Sequence, residues 1–301
     1  MKHFTLAIPL LILYGCGGGT NSTSSQNEET VSTDLFASAT LAEPTLENAS
    51  QLYLPLKYLG KAYSNLKDIT SDSQSDLPIS FNNKLAMTPI KKNKIMCQNG
   101  GWKQHQITSV DYNKKHISGL IEYNQCKDTV HIHGTKKIKY TLNDQNQLSN
   151  YSESYLSNFS IANVIYAAGS QINYNNFHYT NQVVNKYTMT STLKMDIVES
   201  SKEYILGFKN LTTSYSIANN ALTFEPTKGK IYIKDTSEYF EVNPTQNVNF
   251  SPIKITQHKY LNSGNISFLG ANDKSFTVQS TKQNLLSFIT INKEEQMDLS
   301  W

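Results

Sequence analysis

Four histidines, His105, His116, His131 and His133, fall within a window of 29 residues, and they are the densest grouping of side chains that could do chemistry. In an extended chain His131 and His133 project from the same face, as two zinc-binding imidazoles on a sheet do. Pairing of neighbouring strands would bring His105 or His116 alongside. The surrounding alternation argues the other way. Val130 and Ile132 take the apolar side, which leaves both histidines on the solvated one, and no carboxylate stands as a recognisable third ligand or base. The expected reading is a solvated polar face without a metal, because ligand count and geometry are not supplied by spacing alone.

Other catalytic patterns are missing: there is no Gly-x-Ser-x-Gly elbow, no GxxxxGK[ST] phosphate loop and no His-Glu-x-x-His. Aspartates and glutamates are scattered, so a carboxylate dyad of the glycosidase kind is neither marked nor precluded. The run Ile172 to Tyr179 could offer an aromatic and amide surface to sugars or peptides. Cross-strand aromatic pairing is its simpler use. No catalytic residue and no cofactor are expected.

The elements that must carry these residues are mostly strands. From about Ile95 onward apolar and polar residues alternate, as in Ile138-Lys139-Tyr140-Thr141-Leu142, Ile231-Tyr232-Ile233-Lys234 and Ile266-Ser267-Phe268. Turn-forming clusters at Asn143-Asp144, Asn219-Asn220 and Gly270 to Asp273 separate them. Spacings this short favour antiparallel connections over parallel crossovers. Upstream, Leu46, Ala49, Leu52, Tyr53, Leu56, Leu59, Tyr63 and Leu66 recur every three or four residues and predict a helix, kinked at Pro55 or beginning near it. A turn-rich stretch, Asp68 to Asp76, follows. The expected fold is mainly β: an antiparallel meander in one long curved or repeat-built sheet, with a short N-terminal helix. A repeat is suggested by the quartets Ser160-Ile161-Ala162-Asn163 and Ser216-Ile217-Ala218-Asn219, 56 residues apart, and by Gly229 to Ile233 echoed at Gly264 to Phe268.

Composition narrows the function classes. The 301 residues carry 27 basic side chains, all of them Lys, against 24 acidic ones, for a net charge of +3. Without Arg there is no planar fork for phosphate or guanine, so nucleic acid is not an expected partner. A mean hydropathy of −0.45 and a single long apolar run, at the N-terminus, exclude a polytopic membrane protein.

That run reads MKHFTLAIPLLILYGC: a short basic start, an apolar core and a small residue before Cys16. It has the layout of a secretory signal peptide. Leu13-Tyr14-Gly15-Cys16 resembles the lipobox of bacterial lipoproteins. The resemblance implies that Cys16 receives a diacylglycerol, that cleavage precedes it and that its amine is then acylated, with palmitate-type chains. Two or three chains make attachment effectively permanent. Gly17 stands where an Asp would act as a retention signal for the inner membrane, so the outer membrane is the implied address, with the outer face of the cytoplasmic membrane as the alternative. Residues 17 to 33 are almost devoid of apolar side chains and read as a flexible tether.

The segment from Cys97 also looks like a recurring arrangement in bacterial lipoproteins: Cys-x-x-Gly-Gly, a Gly-led strand, a second Cys and a strand ending in Gly. Here these are Cys97 to Gly101, Gly119 to Tyr123, Cys126 and Val130 to Gly134. The resemblance implies no activity. With Cys16 assigned to lipid, Cys97 and Cys126 remain, and in an oxidising compartment a disulfide is their expected use; free thiols or metal ligands are the alternatives.

The expected organisation is a signal peptide (1–15), lipidated Cys16 and tether (16–40), a helical segment and linker (41–95) and one β-rich domain (96–301). The expected function is a non-enzymatic envelope lipoprotein, a binding or structural module attached to the membrane through its N-terminal lipid, whose protein, glycan or lipid ligand is not specified. The alternatives are a hydrolase using carboxylates or a His-bound metal, and a carrier whose sheet and helix enclose an apolar ligand.

Overall fold

The structure, a computed structural model, describes residues 35–59, 93–128, 130–181, 183–199, 201–218, 221–242, 251–255, 261–280, 286–291 and 298–299. The signal sequence, Cys16, residues 17–33 of the tether, Tyr63 and Leu66 of the expected helix, the stretch Asp68 to Asp76 and the Asn219-Asn220 turn lie outside the described residues, whereas residues 35–40, expected to belong to the tether, are described and carry Phe36 and the start of β1.

The alternation translates directly into strands. In one long run Tyr187, Met189, Ser191, Leu193, Met195 and Ile197 are buried, while Thr188, Thr190, Thr192, Lys194 and Asp196 between them are only half-buried. A period of two with one apolar face is what a pleated ribbon demands. Among the described residues eighteen strands follow: β1 (Thr40–Leu41), β2 (Asn93–Met96), β3 (Trp102–Asp111), β4 (His116–Lys127), β5 (His131–Leu142), β6 (Leu148–Tyr155), β7 (Phe159–Ile161), β8 (Val164–Tyr166), β9 (Gln171–Thr180), β10 (Val183–Glu199), β11 (Lys202–Ala218), β12 (Ala221–Ile233), β13 (Glu238–Val242), β14 (Ser251–Ile255), β15 (Leu261–Leu269), β16 (Ser275–Ser280), β17 (Leu286–Ile291) and β18 (Asp298–Leu299).

Their register describes one antiparallel meander. β2 through β5 pair in chain order. β5 then pairs with both β6 and β7, which continue through β9 and β8 respectively to β10. β10, β11 and β12 pair in order, β13 and β14 both lie between β12 and β15, and β15 to β18 complete the sheet. Two-residue β1 is the exception, running parallel to β13.

Long strands thus bridge pairs of short ones, and glycine marks two of the changeovers. β5 leaves β6 for β7 around Gly134 (φ +121°), and β12 leaves β14 for β13 at Gly229 (φ +112°). A Cβ on Gly229 would stand 2.5 Å from the Asn210 carbonyl oxygen and from Leu211 Cα. Only glycine allows both that dihedral and that approach.

The echoed quartets sit in different settings. Ala162, at φ 52°, is the first turn residue of the β7–β8 hairpin, whereas Ala218 is a paired residue at the end of β11. The Gly229 and Gly264 echo reflects two positive-φ glycines in strands, at φ +112° and +128°. The similarity is one of local devices.

The helix breaks where Pro55 requires. α1 (Leu46–Ser50) is capped by the Thr45 hydroxyl, which accepts from the Asn48 amide, and a turn at 51–52 precedes a second helix, α2 (53–59). The restart places Pro55 in the first turn of α2, where a missing N–H breaks no helical bond. Ala49, Leu52, Leu56 and Leu59 are buried against the apolar side of the sheet, hereafter the inner face. Just upstream, Phe36 stacks on Tyr232 of the opposite, outer face, with ring centroids 3.9 Å apart. The segment 36–59 therefore passes from the outer face, through β1 in the plane of the sheet, to the inner face.

Cys97 and Cys126 form a disulfide, with Cα atoms 5.4 Å apart. It joins the end of β2 to β4, across β3. Main-chain bonds from Asn99 to Lys127 (2.7 Å) and from Lys127 to Gly100 (2.9 Å) lock the Cys97 to Gly101 turn to the same place.

Candidate functional site

The parity that buries Tyr151 and Tyr155 of β6 also buries the residue between them, Glu153, which is 5% exposed. On neighbouring β5, Lys136, Ile138 and Tyr140 face the same way and lie opposite Tyr155, Glu153 and Tyr151. Lys136 is thus diagonal to Glu153, within reach of a long side chain. Its Nζ lies 3.3 Å from Glu153 Oε1, and 5.7 Å from the centre of the Phe159 ring. Tyr151 donates to the same Oε1 (2.7 Å), and Tyr155 donates to Oε2 (3.0 Å). Both carboxylate oxygens are therefore occupied, as a charge removed from water requires.

From this pair, contacts lead outward in two directions. Tyr155 stacks on Tyr166 of β8 at 4.7 Å, and the Tyr166 hydroxyl lies 2.6 Å from that of Tyr58 in α2. Tyr151 begins a ladder across β9, β10, β11 and β12: Tyr174 at 5.9 Å, Tyr187 at a further 6.0 Å, Tyr215 at 4.8 Å and Phe224 at 6.3 Å. The Tyr215 hydroxyl donates to the Leu59 carbonyl at 3.1 Å. Helix and sheet thus meet through leucine packing and through tyrosine hydroxyls.

Burial holds these phenols in the neutral form. It is the main cause that lifts Tyr58, Tyr151, Tyr155 and Tyr174 well above the usual tyrosine value. The negative charge of Glu153 adds to the shift at Tyr151, Tyr155 and Tyr174, because a second anion beside it is disfavoured. Burial pushes Tyr166 up to about 12, although its bond with Tyr58 pulls the other way. Around Glu153 they are neutral donors at any physiological pH.

The histidines do not converge. His105 lies on the inner face of β3 and is buried. The other three point to the outer face and are engaged locally. His116 meets the Thr141 hydroxyl through Nδ1 (3.1 Å) and the Ser118 hydroxyl through Nε2 (3.3 Å). Gln125 serves both remaining rings: its side-chain oxygen lies 2.7 Å from His131 Nε2, and its main-chain N–H donates to His133 Nδ1 at 3.4 Å. Among the described residues the one group of three or more potential metal ligands is Cys97, Cys126 and Asp128, whose two sulfurs are joined to each other.

Sequence reasoning passed over Glu153 and Lys136 because it counted charged residues as markers of the solvated face. The signal is present: in Tyr151-Ser152-Glu153-Ser154-Tyr155 the glutamate shares the parity of the tyrosines, and Lys136 shares that of Ile138 and Tyr140. Period-two strands turn such a match into co-burial. No family model, no curated protein and no solved structure matches the chain.

Proposed function

We propose that the chain is a lipid-anchored, non-enzymatic binding module of the bacterial envelope, attached through Cys16 to the outer membrane. The lipobox-like Leu13-Tyr14-Gly15-Cys16 and the polar tether behind it support the anchor. One observation carries the non-enzymatic reading: Glu153 and three of the four clustered histidines are engaged by their own neighbours. Glu153 is held by two tyrosines and a lysine, and His116, His131 and His133 by Thr141, Ser118 and Gln125. A general base must be able to reach a substrate proton, and these groups already hold partners.

The anchor is tested by expressing the full chain with labelled palmitate: Cys16→Ala is expected to abolish labelling and to release the protein from membranes washed in high salt. Retention of label would refute acylation at Cys16. For the module, melting of the detergent-purified full chain is followed against glycans, peptidoglycan fragments, lipids and divalent metals, since a ligand of the native state raises the midpoint. A shift with a glycan, peptidoglycan fragment or lipid supports the reading. Turnover of an ester, glycoside or phosphate substrate that Glu153→Gln or His105→Gln abolishes would replace it with the hydrolase.

A further inference from the structure

The parity that buries Tyr187, Met189 and Leu193 turns their neighbours on β10 to the outer face: Lys186, Thr188, Thr190, Thr192 and Lys194. From the first lysine to the second the strand covers about 27 Å. The register continues this surface sideways. Thr190 lies opposite Asn173 of β9, which lies opposite Ser152 of β6, which lies opposite Lys139 of β5. In the other direction Thr190 lies opposite Thr212 of β11, and Thr212 opposite Lys228 of β12. That row crosses about 24 Å of sheet and ends on a lysine at each side. Lysines thus frame a field of hydroxyls and amides along both axes, and no carboxylate belongs to the row. The field is also open. Among the described residues, Ser152, Ser154, Gln171 and Asn173 make no side-chain hydrogen bond, and Lys186, Lys194 and Lys228 make no ion pair. We infer that this face docks an acidic polysaccharide, whose uronate carboxylates meet the framing lysines and whose hydroxyls meet the polar side chains between them. The inference rests on the binding-module function proposed above and gives that module a surface and a ligand class.

Charge complementarity sets the sign of the ligand, and the spacing sets its size. Lysines this far apart cannot share one small anion, so a partner that engages several of them is a polymer with charges along its length, and each added contact is then intramolecular. The field between the lysines selects among polyanions. Ser, Thr, Asn and Gln side chains both donate and accept, which is what a sugar hydroxyl needs from a neighbour. Thr190 and Thr212 share one hydroxyl bond, at 3.1 Å, and a pair so joined keeps a second hydroxyl hydrogen and further lone pairs for a ligand. A single-stranded nucleic acid would look for aromatic rings on which to stack its bases, and the row has none. An acidic protein would look for aromatic or apolar anchors, which are equally missing from it. Ammonium groups act as point charges and suit isolated carboxylates that require no planar fork. Elsewhere on the outer side lysines are matched internally, as Lys230 is by Glu241 at 3.3 Å and Lys234 by Glu238 at 2.8 Å.

The test is titration calorimetry of the full chain, purified in a non-ionic detergent, with oligogalacturonate, with the same oligomer fully methyl-esterified, and with single-stranded DNA of equal charge. The acid form is expected to bind about ten-fold more tightly than the ester or the DNA, and to weaken about ten-fold or more between 50 and 200 mM salt. Lys194→Gln/Lys228→Gln is expected to weaken it about five-fold with the melting midpoint unchanged, since both are surface positions. Ser152→Val/Asn173→Val, which suits a strand, is expected to lower affinity for the acid oligomer about five-fold and to leave that for DNA as it was. Lys114→Gln/Lys274→Gln, away from the row, should change neither. Equal binding of acid and ester, DNA bound as tightly as the acid oligomer, full affinity in the Lys194/Lys228 variant, or no binding of the acid oligomer would overturn the inference. If the acid oligomer does not bind but another glycan, a peptidoglycan fragment or a lipid raises the melting midpoint, only this docking face falls. If nothing raises it, the binding module falls with it.

Discussion

Among the described residues, Glu153 is an acidic side chain buried within an aromatic face. Its charge is matched by Lys136 and two phenols, so removing one member leaves the others buried without their partner. Glu153→Gln is expected to destabilise by about 3 kcal/mol, and adding Lys136→Met to recover much of that loss, because an apolar replacement strands no charge. Urea midpoints of the two single variants and the double variant measure the coupling; additive losses would contradict it. The phenols make a separate prediction about pH. Tyr166 keeps its proton up to about 12 in the fold, whereas an unfolded tyrosine loses it near 10. Between those values the native state binds more protons, so stability is complete below about pH 10 and declines as pH rises toward 12. A titration of phenolate absorbance should show the buried tyrosines ionising together with loss of near-ultraviolet ellipticity; ionisation near pH 10 with the fold intact would contradict this burial.

At the scale of elements, the recurring device is a long strand that exchanges one short partner for another. Gly229 stands at such a point, with a dihedral and a close approach that no side chain tolerates. Gly229→Ala is expected to cost at least about 2 kcal/mol in chemical denaturation. At Ala162, where φ is 52° in a tight hairpin, glycine is the better residue, and Ala162→Gly should raise stability by up to about 1 kcal/mol. A loss at Ala162 or a neutral result at Gly229 would mean that the backbone at these two positions differs from this description. These devices explain what the sequence did and did not disclose. Strand character was legible from Ile138 to Leu142 or Ile231 to Lys234, because alternation is a local property. The helix break was legible from Pro55, for the same reason. Which strands share a partner was not, since β5 with β7 and β12 with β14 depend on long-range register. Two-residue β1 carries no periodicity at all. Glu153 and Lys136 were written in the pattern but masked by their charge.

For the whole molecule, the meander leaves β2 with β3 as its described partner, and the Cys97–Cys126 disulfide fastens that end to β4. Closing a loop of 29 residues should stabilise by about 3.5 kcal/mol in the chain-entropy description. Reduction, or Cys97→Ala/Cys126→Ala, is expected to lower the urea midpoint accordingly, and hydrogen exchange should quicken first in β2 and in the turn after it. Uniform acceleration throughout the sheet would show that the staple secures more than one end. The segment 36–59 has a different consequence, one of timing. Its in-plane contact is between β1 and β13, its outer contact is Phe36 on Tyr232, and Asn48 reaches Glu238 across 190 residues of chain. A polypeptide that leaves the ribosome or a secretion channel N-terminus first delivers this segment long before its binding site exists. The beginning of the chain must wait for strands near its far end, and its apolar face stays exposed throughout that delay. Docking of the first helix is therefore a late event of maturation, and an early interval remains in which a chaperone or the membrane surface can hold that face.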